Sequence, residues 1–252
     1  MIINNSYFYN NQDGLLAAPD PNGTILIENS EFYHNGVYNV SSVGYGYTHN
    51  MYINDIKLFT IKHSYVHAAS VGHEIKSRAQ NTVIIDNRIQ DENGTASYSV
   101  DLPNGGNALI ENNTIEQGPF SGNPAIISFG EEGNLHSNSN LQVINNTILN
   151  DLNSPSAVAV VNDDPNVTAS ISGNKFYGLT SSQIATGSNT QTNNIFLTKE
   201  PRLNTSSVFR NYDKVKLVEN SSSVPPPPPP PLDGGGVDAL LTVTSVVWEY
   251  AL

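Results

Sequence analysis

The sequence predicts an all-β solenoid of about eight stacked coils, and three observations carry that expectation. One short pattern recurs from the first residues to about Leu197: an aliphatic residue, two variable residues, a small hydrogen-bonding residue, one variable residue and an apolar residue. Ile110-Glu111-Asn112-Asn113-Thr114-Ile115 is a clear copy. Ser6, Ser30, Ser64, Asn87, Asn113, Asn146, Asn174 and Asn194 fill the small position at intervals of 20 to 34 residues, the range in which recurrence means stacked supersecondary units. The apolar columns are the second observation. The aliphatic one runs from Ile3 through Ile27, Ile61, Ile84, Ile110, Val143 and Ile171, breaking only at Gln191, and the other runs from Phe8 to Phe196. Third, no segment sustains a 3.6-residue apolar period. Each apolar run is short, alternates, and ends in Asn, Gly, Ser or Asp, as strands joined by turns do.

In chain order, the first coil runs from Ile2 to about Asp20, with Gly14 to Ala18 as its second strand. The next unit, Thr24 to Phe32, leads into an insertion from Gly36 to Thr48 rich in glycine and tyrosine. Tyr38, Tyr45 and Tyr47 either form a lip on which sugar rings stack or fold back over the core, and both readings stay open. A second column of strands aligns Met51, Ile75, Val100, Ile127 and Val160 as inward residues. Alternation then sends Tyr52, Lys76, Asp101, Ser128 and Val161 outward, with Asn50, Glu74 and Ser99 beside them and Arg78 on the same face. The insertion Phe129 to Asn140, which holds Glu131, Glu132 and His136, is expected to form the opposite wall of a groove.

The repeats fade after Asn194. Residues 1–200 are therefore expected to form the solenoid, 201–223 a terminal cap or frayed coil, 224–236 a linker and 237–252 an apolar tail. The linker contains seven consecutive prolines, Pro225 to Pro231, a stiff polyproline II spacer of roughly 20 Å. The tail is too short and, with Asp238 and Glu249, too charged for a stable membrane span. The proline run, glycine triplet and apolar end resemble C-terminal sorting tails of bacterial surface proteins, without the closing arginines.

Stacking at roughly 4.8 Å puts Ile on Ile and Asn on Asn. An Asn column suits a bend, because Asn tolerates unusual backbone angles and its amide bonds to the same amide one coil on. These columns resemble those of the right-handed parallel β-helix superfamily, which includes pectate-lyase-like polysaccharide lyases, uronate epimerases and exported bacterial proteins. The resemblance covers about residues 1–200 and implies a right-handed parallel β-helix. One such fold hosts many chemistries, and no lyase motif matches residue by residue, so no family's catalytic residues are carried over.

The formal charge of −12, with 13% charged residues, excludes a phosphate-neutralising surface, so nucleic acid is not an expected partner. An anionic polysaccharide would need a local basic cleft. The chain has no cysteine, which is compatible with an exported bacterial protein. Met1 enters a repeat at once, without the basic and apolar segments of a signal peptide, so a cap and an export signal are expected upstream. The expected setting is extracellular or the bacterial cell surface, as a monomer.

Elimination from a uronate needs a base beside the acidic carbon and a cation to neutralise the carboxylate. Lys76 is the expected base, Arg78 the carboxylate partner, Tyr52 or His73 the proton donor and Asp101 the group that orients Lys76. Tyr38, Tyr45, Tyr47, Asn50, Glu74 and Ser128 are the expected substrate contacts. The plain alternative is an exposed Lys76–Asp101 cross-strand pair on a non-catalytic glycan-binding or adhesive surface. Glu74 and Asp101 as a glycosidase pair is a weaker third reading. His63 and His67 do not make a zinc site, since four residues of strand span about 13 Å. No cofactor is called for; calcium stays open at turns holding Asp86, Asp91, Glu92, Glu131, Glu132, Asp163 and Asp164.

Overall fold

The computed structural model describes residues 1–36 and 47–208. Each full coil gives one strand to each of three sheets; in the fourth these are Asn81–Ile85, Arg88–Gln90 and Val100–Leu102. The sheets hold eight, eight and seven strands, every pairing is parallel, and neighbours in a sheet belong to consecutive coils. This is a parallel β-helix. Its only helical element among the described residues is a short 3₁₀ turn, Ser181–Gln183.

Register follows the apolar columns. Ile84 pairs with Ile61 and Ile110, and Ile110 with Val143; Ile89 pairs with Val66 and Ile115. Like side chains therefore lie on like side chains in a core where Ile27, Ile61, Ile84, Ile110 and Ile148 are fully buried. In the first and last described coils the same columns are less covered: Ile3 and Phe8 are half-buried and Phe196 is exposed.

The bend between the first and second sheets explains the small-residue column. Asn5, Asn29, His63, Asp86, Asn112, Asn145 and Asn193 have φ between 48 and 58°, and Gly173 has φ 67°. The left-handed angle thus falls one residue before the ladder, where Asn, Asp and Gly bear it at least cost. The ladder residue itself points inward. Asn113 Oδ1 accepts from the Asn87 N–H at 2.9 Å and from Asn87 Nδ2 at 3.1 Å, and Asn146 Oδ1 serves Asn113 in the same way at 2.8 and 3.0 Å. Serines continue the column: the Ser30 N–H donates to Ser64 Oγ at 3.1 Å and the Ser64 N–H to Asn87 Oδ1 at 3.0 Å.

A second ladder lies at the entry to the third sheet. Asn11 donates to Asn35, Asn35 Nδ2 donates to Asn50 Oδ1 at 2.8 Å, and Asn50 Nδ2 donates to Glu74 Oε2. Asn50 and Glu74 are fully buried, a correction to their expected place beside the outward row. They precede their strands at a bend, so alternation does not extend to them.

After Leu197, residues 199–208 run back along the outside of the second sheet. Arg88 Nη1 donates to the carbonyls of Asn204 and Ser206, both at 2.7 Å, and Glu31 Oε2 accepts from Ser207 Oγ at 2.5 Å and the Val208 N–H at 2.9 Å. Glu31 belongs to the second coil and Leu197 ends the eighth. Six coil spacings are about 29 Å, and ten residues reach at most about 33–36 Å, so this strap is nearly fully extended. The proline-rich linker and the apolar tail lie outside the described residues.

Candidate functional site

The third sheet sets the site. Its strands Met51–Ile53, Ile75–Ser77, Val100–Leu102 and Ala125–Phe129 place Tyr52 opposite Lys76, Lys76 opposite Asp101 and Asp101 opposite Ser128. The inward alternates, Met51, Ile75, Val100 and Ile127, are fully buried. Gly72 delivers the chain to this face with φ 76°, at a point where a Cβ would lie 1.9 Å from the Thr48 carbonyl oxygen. No other residue fits there.

His73 follows. It stacks on His49 at 4.9 Å and on Tyr98 at 5.1 Å. The His49 Nδ1 accepts the His73 N–H at 3.1 Å, and the His73 Nδ1 accepts the Tyr98 N–H at 3.2 Å, which assigns the ring proton of each to Nε2. Burial first, and then the positive charges of Lys76 and Arg78, push His49 down to about 3; burial, His49 and the same cations hold His73 well below the usual histidine range. Neutral His73 directs Nε2 at Asp101 Oδ2, 3.4 Å away.

Lys76 and Asp101 are buried beneath the loop from 130 to 139, where the sequence suggested an open outward row. The Lys76 ammonium lies 2.8 Å from Asp101 Oδ2 and 2.7 Å from Glu132 Oε1. Burial opposes its charge, but Asp101 and Glu132 outweigh burial and hold Lys76 above the ordinary lysine range. Burial raises Asp101 to about 6 against the pull of Lys76, so the pair is ionised at neutral pH. Arg78 donates from Nε to the Tyr52 hydroxyl at 2.8 Å, from Nη1 to Asn104 Oδ1 at 2.6 Å and from Nη2 to Glu132 Oε2. Burial disfavours the Glu132 charge, and the bonds from Lys76 and Arg78 reverse that, lowering its pKa.

The loop is fastened by its backbone. The Glu132 N–H donates to the Pro103 carbonyl at 3.1 Å, the His136 N–H to the Asn104 carbonyl at 3.1 Å, and Asn104 Nδ2 to the Gly133 carbonyl at 2.6 Å. On its far side a recess of about 200 Å³ is lined by Gln80, Asn81, Asn107, His136, Ser137 and Asn138. Carboxylate oxygens of Asp101, Glu131 and Glu132 lie within 4.8 Å of one another, and the Lys76 ammonium already bridges two of them.

Tyr52, His73, Lys76, Arg78 and Asp101 thus form one connected network. Ser128 adjoins it, buried, with no hydrogen-bond partner for Oγ. Asn50 and Glu74 belong instead to the buried second ladder. Tyr47 is exposed, and Tyr38 and Tyr45 lie outside the described residues.

A second cluster escaped the sequence reading. On the second sheet His67 is buried rather than on an exposed strand face, with Nε2 3.3 Å from Glu31 and Nδ1 3.1 Å from Glu92. The Tyr65 ring stacks on it at 3.8 Å, the Tyr65 hydroxyl donates to Glu92, and the Arg88 guanidinium sits 3.8 Å above Tyr65. Burial opposes the His67 charge, and the two carboxylates more than restore it. Extending the alternation to the outward residues of this sheet would have aligned Glu31, Tyr65 and Arg88, which pair in register. The strap that covers them carries no pattern.

No helix among the described residues is long and apolar enough to cross a membrane. Compared with known proteins, the chain matches no family model, no curated protein and no solved structure, so the parallel β-helix assignment stands on the three in-register sheets.

Proposed function

We propose that this β-helix acts outside the cell or at the cell surface and binds an anionic polysaccharide on its third sheet, with Lys76 and Arg78 as the cations that receive a ligand carboxylate. The observation that carries the reading is the shared grip of these two side chains on a single carboxylate, Glu132. Asp101 fixes Lys76 from behind, and Tyr52 and Asn104 fix the plane of the Arg78 guanidinium. A guanidinium held in its fork geometry recognises carboxylates with little further loss of side-chain freedom. His73, neutral and aimed at Asp101, leaves the positive charge of the site to Lys76 and Arg78.

A uronate-polysaccharide lyase is the second reading, favoured by the convergence of Lys76, Arg78, Tyr52, His73 and Asp101. In that reaction Lys76 must lose a proton before it can take one from carbon. The carboxylates on both sides of it oppose that step, which is why binding ranks first.

Affinity electrophoresis in gels containing polygalacturonate, alginate or neutral dextran, with and without calcium, tests the proposal. Retardation by an acidic polymer that weakens with salt and is lost in Arg78→Gln is the expected result. Equal migration in every gel would overturn it. Ultraviolet absorbance from a conjugated double bond in the same mixtures would move the lyase reading to first place.

A further inference from the structure

We infer that Glu132 is a built-in competitor: its carboxylate occupies the place of a ligand uronate carboxylate and leaves it, by side-chain rotation alone, when the ligand binds. The inference rests on the binding reading above and adds the regulation of that site.

The first observation is charge. Lys76 and Arg78 are the two cations of this face, and Asp101, Glu131 and Glu132 bring three carboxylates within 4.8 Å of one another beside them. Exchanging Glu132 for a ligand carboxylate leaves that count unchanged. The second observation is the grip: one Glu132 oxygen meets Lys76 at 2.7 Å and the other meets Arg78, the two-oxygen engagement by which cationic side chains recognise a carboxylate.

The third observation separates side chain from backbone. The turn is held by the Pro103 and Asn104 bonds, and Gly130, Gly133 and Asn134 take left-handed angles of 86, 67 and 49°. The Glu132 side chain is nevertheless 39% exposed, against 9% for Lys76. It can swing into water while the turn stays in place, so exchange does not require loop opening. The neighbouring Glu131 is engaged elsewhere, accepting from the Tyr98 hydroxyl at 2.6 Å, and does not replace it.

A competitor that fills the fork nine-tenths of the time weakens apparent affinity about tenfold. Titration calorimetry with a galacturonate trimer and a guluronate trimer, and with maltotriose as the neutral control, compares wild type, Glu132→Gln and Glu132→Asp. Glu132→Gln keeps the side chain's shape and removes its charge; Glu132→Asp keeps the charge and shortens the reach. The expected result is roughly tenfold tighter binding of an acidic trimer by Glu132→Gln, a smaller gain for Glu132→Asp, and no gain for maltotriose. Thermal melting of each variant confirms that it is folded. If wild type binds an acidic trimer through Arg78 and both variants bind equally or more weakly, Glu132 is a ligand contact or a structural ion pair, and the competitor role is overturned while the binding reading survives. If no form binds either acidic trimer, both fall.

Discussion

Replacing Asn113 with leucine tests the inner ladder at its centre. Asn113 is 1% exposed, and its side chain makes four hydrogen bonds: it accepts from the Asn87 N–H and Asn87 Nδ2, and it donates to the Ile84 carbonyl at 2.8 Å and to Asn146 Oδ1 at 3.0 Å. Not all four losses count equally. Asn87 Nδ2 keeps the Ile61 carbonyl at 3.0 Å, and Asn146 Oδ1 keeps the Asn113 N–H at 2.8 Å. The Asn87 N–H and the Ile84 carbonyl lose a partner inside the stack, at about 1–3 kcal/mol each, or roughly 4 kcal/mol together. For a domain of this size that lowers Tm by roughly 8–16 °C. The control is Asn194→Leu in the last coil, whose bonds to Asn174 and to the Ile171 carbonyl are only partly buried, so a smaller loss is expected there. Calorimetric melting of both variants decides the matter: equal losses of Tm, or no loss in Asn113→Leu, would refute the ladder's role in stability.

Three further outcomes follow from the buried charges and the strap. Burial raises Glu116 to about 7 from an ordinary 4.5; the folded chain then keeps a proton that the unfolded chain releases, so this contribution to stability is complete below about 4.5 and is lost as pH rises through about 7. Glu116→Gln should flatten the fall of Tm between about pH 5 and 8, and an unchanged slope would count against the raised value. Lys76→Met strands the buried Asp101 carboxylate and should cost about 3–5 kcal/mol in urea unfolding, while Lys76→Met with Asp101→Asn recovers most of it; a harmless single substitution would mean that the pair is exposed in solution. Arg88→Ala removes two bonds to the strap and the stacking over Tyr65, so limited proteolysis within 199–208 should accelerate several-fold with Tm falling only a few degrees; an unaltered cleavage rate would detach Arg88 from the strap.

The columns were legible because parallel stacking repeats the same local rule in every coil. Aligning Met51, Ile75, Val100, Ile127 and Val160 by alternation reproduces pairings such as Val100 with Ile75 and Ile127 with Val160. Alternation fails at bends, and so Glu74 lies inside. It also cannot register a cover from another part of the chain: Lys76 is buried by Glu132, 56 residues away, and Glu31 is bound by Val208, 177 residues away. Neither covering segment has an apolar period, since both hold on through carbonyls, N–H groups and single charged side chains. The residues aligned around Lys76 therefore lie together but buried rather than open, and the cluster at His67 was missed.

The strap also determines how the molecule bears load. A chain that ended at the last coil would pass any pull straight to that coil, and the stack would unzip one strand at a time from its weakest end. Here the described chain leaves the stack at Val208, beside Glu31 in the second coil, having crossed Arg88 in the fourth. Tension on the residues that follow is met first at those two anchorages. Only when they have slipped does the eighth coil feel the force, so the strap works as a strain relief for that coil.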